Sequence, residues 1–341
     1  MPRDGETKER YAVTDASEET RARALWYVSK GRAVLCEEGI GAKKPDHVRV
    51  RTLWSALSRG TERLVAEGRV PASEYGRMRA PLQEGDFPFP VKYGYSAVGR
   101  VEDGPHALVG RLVFALAPHA EIFDAPLAFV QPVPDHVPAR RVVLASNMET
   151  ALNALWDGGA APGDRIVVVG AGVVGCLVAS LAARIPGAEV TLVDVDLSRR
   201  EIAQALGCRF SKPLDSPGDA DLVVHTSATS AGLSCALACA GDEARVVELS
   251  WYGEATTEVS LGARFHSARL ALVSSQVGRV ATPKRARWSH ARRLAKAIDL
   301  LDDPRLDALI THEIAFDDLP DAIPRLLAPG APGLATAIRY S

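Results

Sequence analysis

Hydrophobic and polar positions divide this chain by rhythm. From Ala24 to about Val142 the apolar runs are short: "ALWYVS", "HVRVRTLWSAL", "YSAVGRVE" and "GRLVFALAP", broken by Gly, Pro and Asp. That punctuation predicts a β-rich region with few helices. From about Ser146 the pattern becomes an alternation of helix and strand. "NMETALNALWDGG" reads as a helix ending at glycines, and "RIVVV" as an apolar strand of the kind buried in a parallel sheet. "VVGCLVASLAARIPG" reads as a helix stopped by Pro186 and Gly187. The alternation continues through "EVTLVDVD", "SRREIAQALG", "ADLVVHTS", "SAGLSCALACAG", "EARVVELS" and "ARLALVSSQ". Strands alternating with helices imply right-handed crossovers and an open, doubly wound parallel sheet. Past about Gly278 come a helical stretch, "ARWSHARRLAKAIDLL", then "LDALITHEI", "LPDAIPRLL" and a terminal strand, "LATAIRYS". The expected division is a polar tail (1–23), a β-rich domain (24–145), an α/β domain (146–277) and a closing segment (278–341).

Composition narrows the function classes. The chain has 341 residues, 47% hydrophobic and 24% charged, a length that favours two domains. A net charge of −2 gives no electrostatic basis for a nucleic acid or an anionic membrane as partner. The opening "MPRDGETKER" lacks the apolar core of a secretory signal. No uncharged apolar run reaches the roughly 18 residues of a membrane-spanning helix. The expected location is cytoplasmic. Five scattered cysteines (Cys36, Cys176, Cys208, Cys235, Cys239) contain no CxxC pair, which predicts reduced thiols rather than a disulfide framework. Cys235 and Cys239 can share a helix face, and they read as small core residues.

One motif carries chemistry. Gly170-Ala171-Gly172-Val173-Val174-Gly175 is a G-x-G-x-x-G between a predicted strand and a predicted helix, and the acid Asp194 closes the next strand. That is the context of a dinucleotide-binding turn. Gly170 permits the tight turn, and Gly172 lets the backbone approach a pyrophosphate resting on the unpaired N–H groups of the helix start. Gly175 allows close packing of helix on strand. Asp194 can accept the hydroxyls of an adenosine ribose and would repel a 2′-phosphate, which favours NAD over NADP. Arg199 and Arg200 nearby keep NADP open. A nicotinamide cofactor implies hydride transfer. Loops at the carboxyl ends of parallel strands face the ligand crevice, so Thr226, Ser250, Trp251, Ser275 and Gln276 are expected beside the cofactor and Tyr252 beside the substrate. His225 ends the fourth strand, where a histidine satisfied by its neighbours is the plainer reading.

A β-rich leading domain, a dinucleotide domain and a closing segment together resemble the medium-chain dehydrogenase/reductase superfamily, the zinc-type alcohol dehydrogenase-like proteins, over about residues 24–341. "APGDRIVVVGAGVVG", "DLVVHTSATSAGL" and "LDALITHEIAFDDLPDAI" carry the resemblance. "ALSRGTERL" with "YGYSAVGRV" is similar to the branch containing the 3-hydroxyethyl bacteriochlorophyllide dehydrogenase. The resemblance implies a GroES-like first domain, a Rossmann cofactor domain, a last segment that rejoins the first domain, and a homodimer. It also implies positions for zinc, and there the chain departs. Arg59-Gly60-Thr61-Glu62 stands where zinc members carry Cys-Gly-Ser/Thr-Asp, and Gly94-Tyr95-Ser96 where they carry Gly-His-Glu. Glu149 alone keeps a possible ligand, and the lobe of four structural-zinc cysteines is absent. Catalytic zinc needs three protein ligands, so none is expected.

Without a metal, a positioned acid or base must serve the developing alkoxide. Thr61 matches the family's proton-relay hydroxyl, Tyr95 occupies the zinc-histidine position, and Glu149 the third position. These three are the candidate catalytic residues, with Arg59 beside them in the substrate pocket. An Arg59–Glu149 ion pair filling the space of the metal is the structural alternative. The basic run Lys284 to Trp288 reads as a solvated helix start, and Arg77 and Arg79 as a surface loop. Ser96 almost completes a nucleophile elbow, yet Val98 stands where its second glycine belongs and a strand follows. Two other readings stay open: a zinc-independent enone or quinone reductase, and a non-catalytic NAD-binding sensor. The expected substrate is small, cyclic or polyhydroxylated.

Overall fold

The structure is a computed structural model and describes residues 21–341. The expected tail thus lies outside the described residues except for Arg21–Arg23, which open the first strand. Nine strands come first: β1 (Arg21–Ser29), β2 (Arg32–Gly39), β3 (His47–Leu57), β4 (Glu84–Gly85), β5 (Val91–Lys92), β6 (Ala97–Asp103), β7 (Leu112–Ala115), β8 (Ile122–Pro126) and β9 (Val130–Pro132). One helix interrupts them, α1 (Arg59–Ala66). Then follow α2 (Ala139–Val142), α3 (Ala145–Gly158), β10 (Arg165–Val169), α4 (Val173–Ala182), β11 (Glu189–Val193), α5 (Arg199–Ala205), β12 (Arg209–Ser211), β13 (Ala220–His225), α6 (Ser230–Cys239), β14 (Ala240–Glu248), α7 (Arg264–Ser267) and β15 (Ala271–Ser274). The chain closes with α8 (His290–Asp299), β16 (Ile310–Ala315), α9 (Leu319–Leu326) and β17 (Ala335–Arg339).

The six strands β12-β11-β10-β13-β14-β15 form one sheet in that order, every neighbour parallel. Parallel neighbours cannot be joined by a hairpin, so helices make the crossovers. Strand order reverses at β10, which pairs with β11 on one side and β13 on the other; Val167 lies opposite both Thr191 and Val223. A crevice for ligand opens at such a switch point. Apart from Arg165, β10 is buried, and α4 buries Gly175 through Ala182, as their unbroken apolar sequence requires.

The leading strands pair antiparallel in two sheets. One is β2-β1-β5-β4; the other is β16-β17-β3-β6-β7-β9, with β8 on β3, where the closing β16–β17 pair is parallel. Strand β17 pairs antiparallel with β3, Ala337 opposite Ala56, so the end of the chain completes a sheet begun near its start. The stretch Gly94–Ser96 is not strand. It joins β5 of one sheet to β6 of the other, with Gly94 at φ +135°, a conformation that favours glycine. The run Lys284 to Trp288 also differs from expectation. It forms turns, Lys284 stands over the Trp156 ring, and the helix begins only at His290.

Candidate active site

A cavity of about 1540 Å³ runs between the β-rich part and the carboxyl ends of the parallel strands. At one end lies the glycine turn. Gly170 has φ +106°, and a Cβ there would stand 2.7 Å from Thr226 Oγ1, which donates to the Gly170 carbonyl at 2.7 Å. A Cβ on Gly175 would overlap the carbonyl oxygen of Gly170. Gly172 differs: a Cβ there would meet nothing and would project into open space. It occupies the cap position of α4 without a side-chain cap, leaving the first N–H groups of that helix, including those of Val173 and Val174, for an anion. The residues therefore fit a dinucleotide, whose pyrophosphate Gly172, Val173, Val174 and Gly175 could hold and whose ribose Asp194 could hold. Asp194 Oδ2 accepts the Ala171 N–H at 2.6 Å and Oδ1 the Asp196 N–H at 2.8 Å, which fixes the carboxylate against the turn. Arg199 lines the same end, donating to the Gly333 carbonyl and pairing with Asp196.

The other end is built on α1 and the β5–β6 joint. Tyr95 and Thr61 both line the cavity. The Tyr95 phenol donates to Ser58 Oγ, a cavity residue that sequence reasoning missed. Burial pushes the phenol up to about 12, against the hydroxyls of Ser58 and Thr61, which favour the phenolate. Ser96 is buried and donates to the Val143 carbonyl at 2.5 Å, so it anchors the joint and is no nucleophile.

Glu149 lines the cavity from α3, but its partner is not Arg59. Arg293, wholly buried on α8, donates Nε to Glu149 Oε1 at 3.0 Å. Burial raises the Glu149 carboxyl despite that partner. Arg59 instead gives its guanidinium to the carbonyls of Ala331, Pro332, Gly333 and Leu334, tying the loop before β17 to α1. The expected Arg59–Glu149 pair is therefore absent, because main-chain oxygens satisfy the arginine and a buried helix residue claims the glutamate. The donor set at these three positions does not fit zinc: a guanidinium, a phenol bonded to serine, and a carboxylate committed to arginine. Among the described residues no group of three His, Cys, Asp or Glu side chains gathers.

Ser250, Trp251, Ser275 and Gln276 line the cavity. Ser250 Oγ accepts the Ala228 N–H at 3.0 Å, and Ser275 Oγ donates to Asp157 at 2.6 Å. Tyr252 does not line it. Its hydroxyl donates to Glu248 at 3.1 Å, drawing the ring away from the substrate end. His225 is buried between Glu248 and Ser227, 2.7 Å from each, and has no nitrogen left for catalysis.

Sequence reasoning also missed a buried pair behind the site. Glu62 Oε2 and His119 Nε2 are 3.0 Å apart, with neither side chain exposed. Tyr27 donates to the same oxygen at 3.0 Å, and Glu62 Oε1 accepts the Ser58 N–H at 2.7 Å. A glutamate soon after a serine that heads a helix is a signal that its carboxylate turns back to the serine N–H, as Glu62 does here.

No protein-family model matches the chain. It is similar to an uncharacterized zinc-type alcohol dehydrogenase-like protein of Haemophilus influenzae, 27% identical over 218 residues. The match covers 60% of this chain and 59% of that relative's length. Among solved structures, it resembles a protein from Sinorhizobium meliloti described as a zinc-binding dehydrogenase and bound to NADP. Their TM-score is 0.75 at 18% identity, over 94% of this chain and 99% of the other. An alcohol dehydrogenase of Escherichia coli CFT073 complexed with NADH gives 0.74 at 16% identity, over the same shares. These likenesses establish the fold: a GroES-like β-rich domain joined to a Rossmann doubly wound sheet.

Proposed function

We propose that the protein is a nicotinamide-dependent oxidoreductase that moves hydride between its cofactor and the alcohol or carbonyl carbon of a small substrate, without a catalytic metal. One observation carries the reading: a single cavity holds the glycine turn, Asp194 and the hydroxyls of Tyr95 and Thr61. The cofactor, when bound, supplies or accepts the hydride. The chain's own residues orient the substrate oxygen and exchange its proton through the hydroxyl cluster of Thr61 and Tyr95, while Glu149 presents its second carboxylate oxygen for a further hydroxyl or amine. Tyr93, Tyr95, Phe129 and Trp251 along the walls support a cyclic or polyhydroxylated substrate. Asp194 supports NAD, since its carboxylate would repel a 2′-phosphate. The named comparisons include one protein bound to each cofactor, so they favour neither. The resemblance supports a homodimer, and sedimentation velocity reads the oligomeric state.

Fluorescence titration with NADH and NADPH, followed by turnover of aldehydes, ketones and enones, tests the proposal. Tighter binding of NADH and reduction of aldehydes or ketones is the expected result. Turnover of enones alone would support the reductase reading, and NADH binding with no turnover a sensor. Failure to bind either cofactor overturns the proposal.

A further inference from the structure

We propose that Ser58, at the head of α1, is the hydroxyl that meets the substrate oxygen, with Tyr95 acting behind it. The assignment rests on the hydride-transfer reading above and names a residue that reading does not contain. Ser58 occupies the cap position of α1, where a serine normally accepts an N–H of the first turn. Here its side chain caps nothing. The carboxylate of Glu62 reaches back to the Ser58 N–H at 2.7 Å, and its other oxygen is held by Tyr27 and His119. The serine backbone is thus pinned by a buried network while its hydroxyl turns to the cavity.

Hydrogen-bond direction decides which hydroxyl can donate. Tyr95 spends its one proton on Ser58 Oγ, so toward the cavity the phenol offers only lone pairs. Ser58 has accepted one bond and keeps its own proton. Among the described residues no acceptor is found for that proton, and Ser58 lines the cavity. A carbonyl oxygen gaining negative charge needs a donor, and Ser58 is the member of the pair that can supply one.

In the reducing direction the carbonyl carbon accepts the hydride of NADH and the C=O π pair moves onto oxygen. That oxygen takes the Ser58 proton, Ser58 takes the Tyr95 proton, and solvent restores Tyr95 through Thr61. One carbonyl, one NADH and one proton give one alcohol and one NAD⁺. Glu62 and His119 touch no reacting atom; they are positioning residues.

A double-mutant cycle on the full chain tests this, with benzaldehyde as the reducible probe and benzamide as a carbonyl that is bound but not reduced. Ser58→Ala is expected to lower kcat on benzaldehyde by about 10²-fold, the usual scale of one acid–base group. Benzamide affinity in the NADH complex should fall about tenfold, with NADH affinity unchanged. Tyr95→Phe added to Ser58→Ala should cost nothing further, since the two act as a unit. Ser58→Thr, which restores a hydroxyl and controls for folding, should recover much of both losses. Wild-type kcat and benzamide affinity in Ser58→Ala would overturn the assignment alone, as would losses that multiply in the double variant. A wild-type protein that binds NADH but transfers no hydride would overturn the function and this assignment together.

Discussion

Arg293 donates to Glu149 Oε1 at 3.0 Å with both side chains buried, and the same guanidinium reaches Asn153 Oδ1 and the carbonyls of Val277 and Arg279. One side chain on α8 therefore fastens the cavity face of α3 to the loop after β15. Removing one partner leaves a buried charge without compensation, which costs about 3–5 kcal/mol. Arg293→Met should lower the urea-unfolding free energy by about 3 kcal/mol, and adding Glu149→Gln should recover part of it. A loss below about 1 kcal/mol for Arg293→Met would mean the pair does not hold these elements together.

Gly172 separates stability from cofactor binding. Its φ of −72° suits any residue, and a Cβ there meets no protein atom. Gly172→Ala should leave stability within about 0.5 kcal/mol, as expected of a site without close neighbours. The added methyl group would stand where the backbone must approach a pyrophosphate. NADH binding, read by fluorescence titration, should weaken at least about tenfold. Unchanged affinity would place the dinucleotide elsewhere.

Ala228 sits in the loop after β13 at φ +54°, in the left-handed region, where a side chain costs about 1–2 kcal/mol. Its N–H to Ser250 Oγ does not depend on the methyl group. Ala228→Gly should stabilise the protein by about 0.5–1 kcal/mol after the entropy cost of glycine. Thermal unfolding checks it, and a lower midpoint would show that the methyl group packs productively.

Acid should weaken the joint between α2 and the turn before β16. Arg141 grips Asp307 through two bonds of 2.8 and 2.7 Å and holds its carboxyl below the ordinary 3.8. A folded-state value below the unfolded one gives stability that is present above about pH 3.8 and lost as pH falls through the folded value. Half of Asp307 is exposed, so Asp307→Asn should cost only about 0.5–1 kcal/mol at pH 7. Denaturation at pH 7 and pH 3 should show that difference shrinking in acid; a constant gap would rule out the ion pair as its source.

The strands, helices and glycine turn were legible because apolar period and glycine punctuation are local properties. In "RIVVV" the four residues after Arg165 are all apolar and must be buried on both faces, and Gly170 and Gly175 leave no room for a side chain. The partners of charged residues were not legible, because they are set by where distant elements meet. Arg293 looks like one more solvated arginine in "HARRLAKAID", yet α3 covers it. Arg59 and Glu149 stand at matched positions, but main-chain oxygens of a loop more than 270 residues further on take the arginine. Ser58 was hidden for a different reason: a serine before a helix reads as a cap, and only the direction of its hydroxyl shows otherwise.

The central claim is hydride transfer at this cavity without a metal. Its most direct test is reduction of benzaldehyde with NADH deuterated on the transferred face at C4, using protein dialysed against 1,10-phenanthroline and assayed for metal content. The account expects deuterium at the alcohol carbon of the product, at a rate unchanged by the chelator. Product without deuterium, or activity that disappears with about one zinc per chain and returns with added zinc, would contradict it.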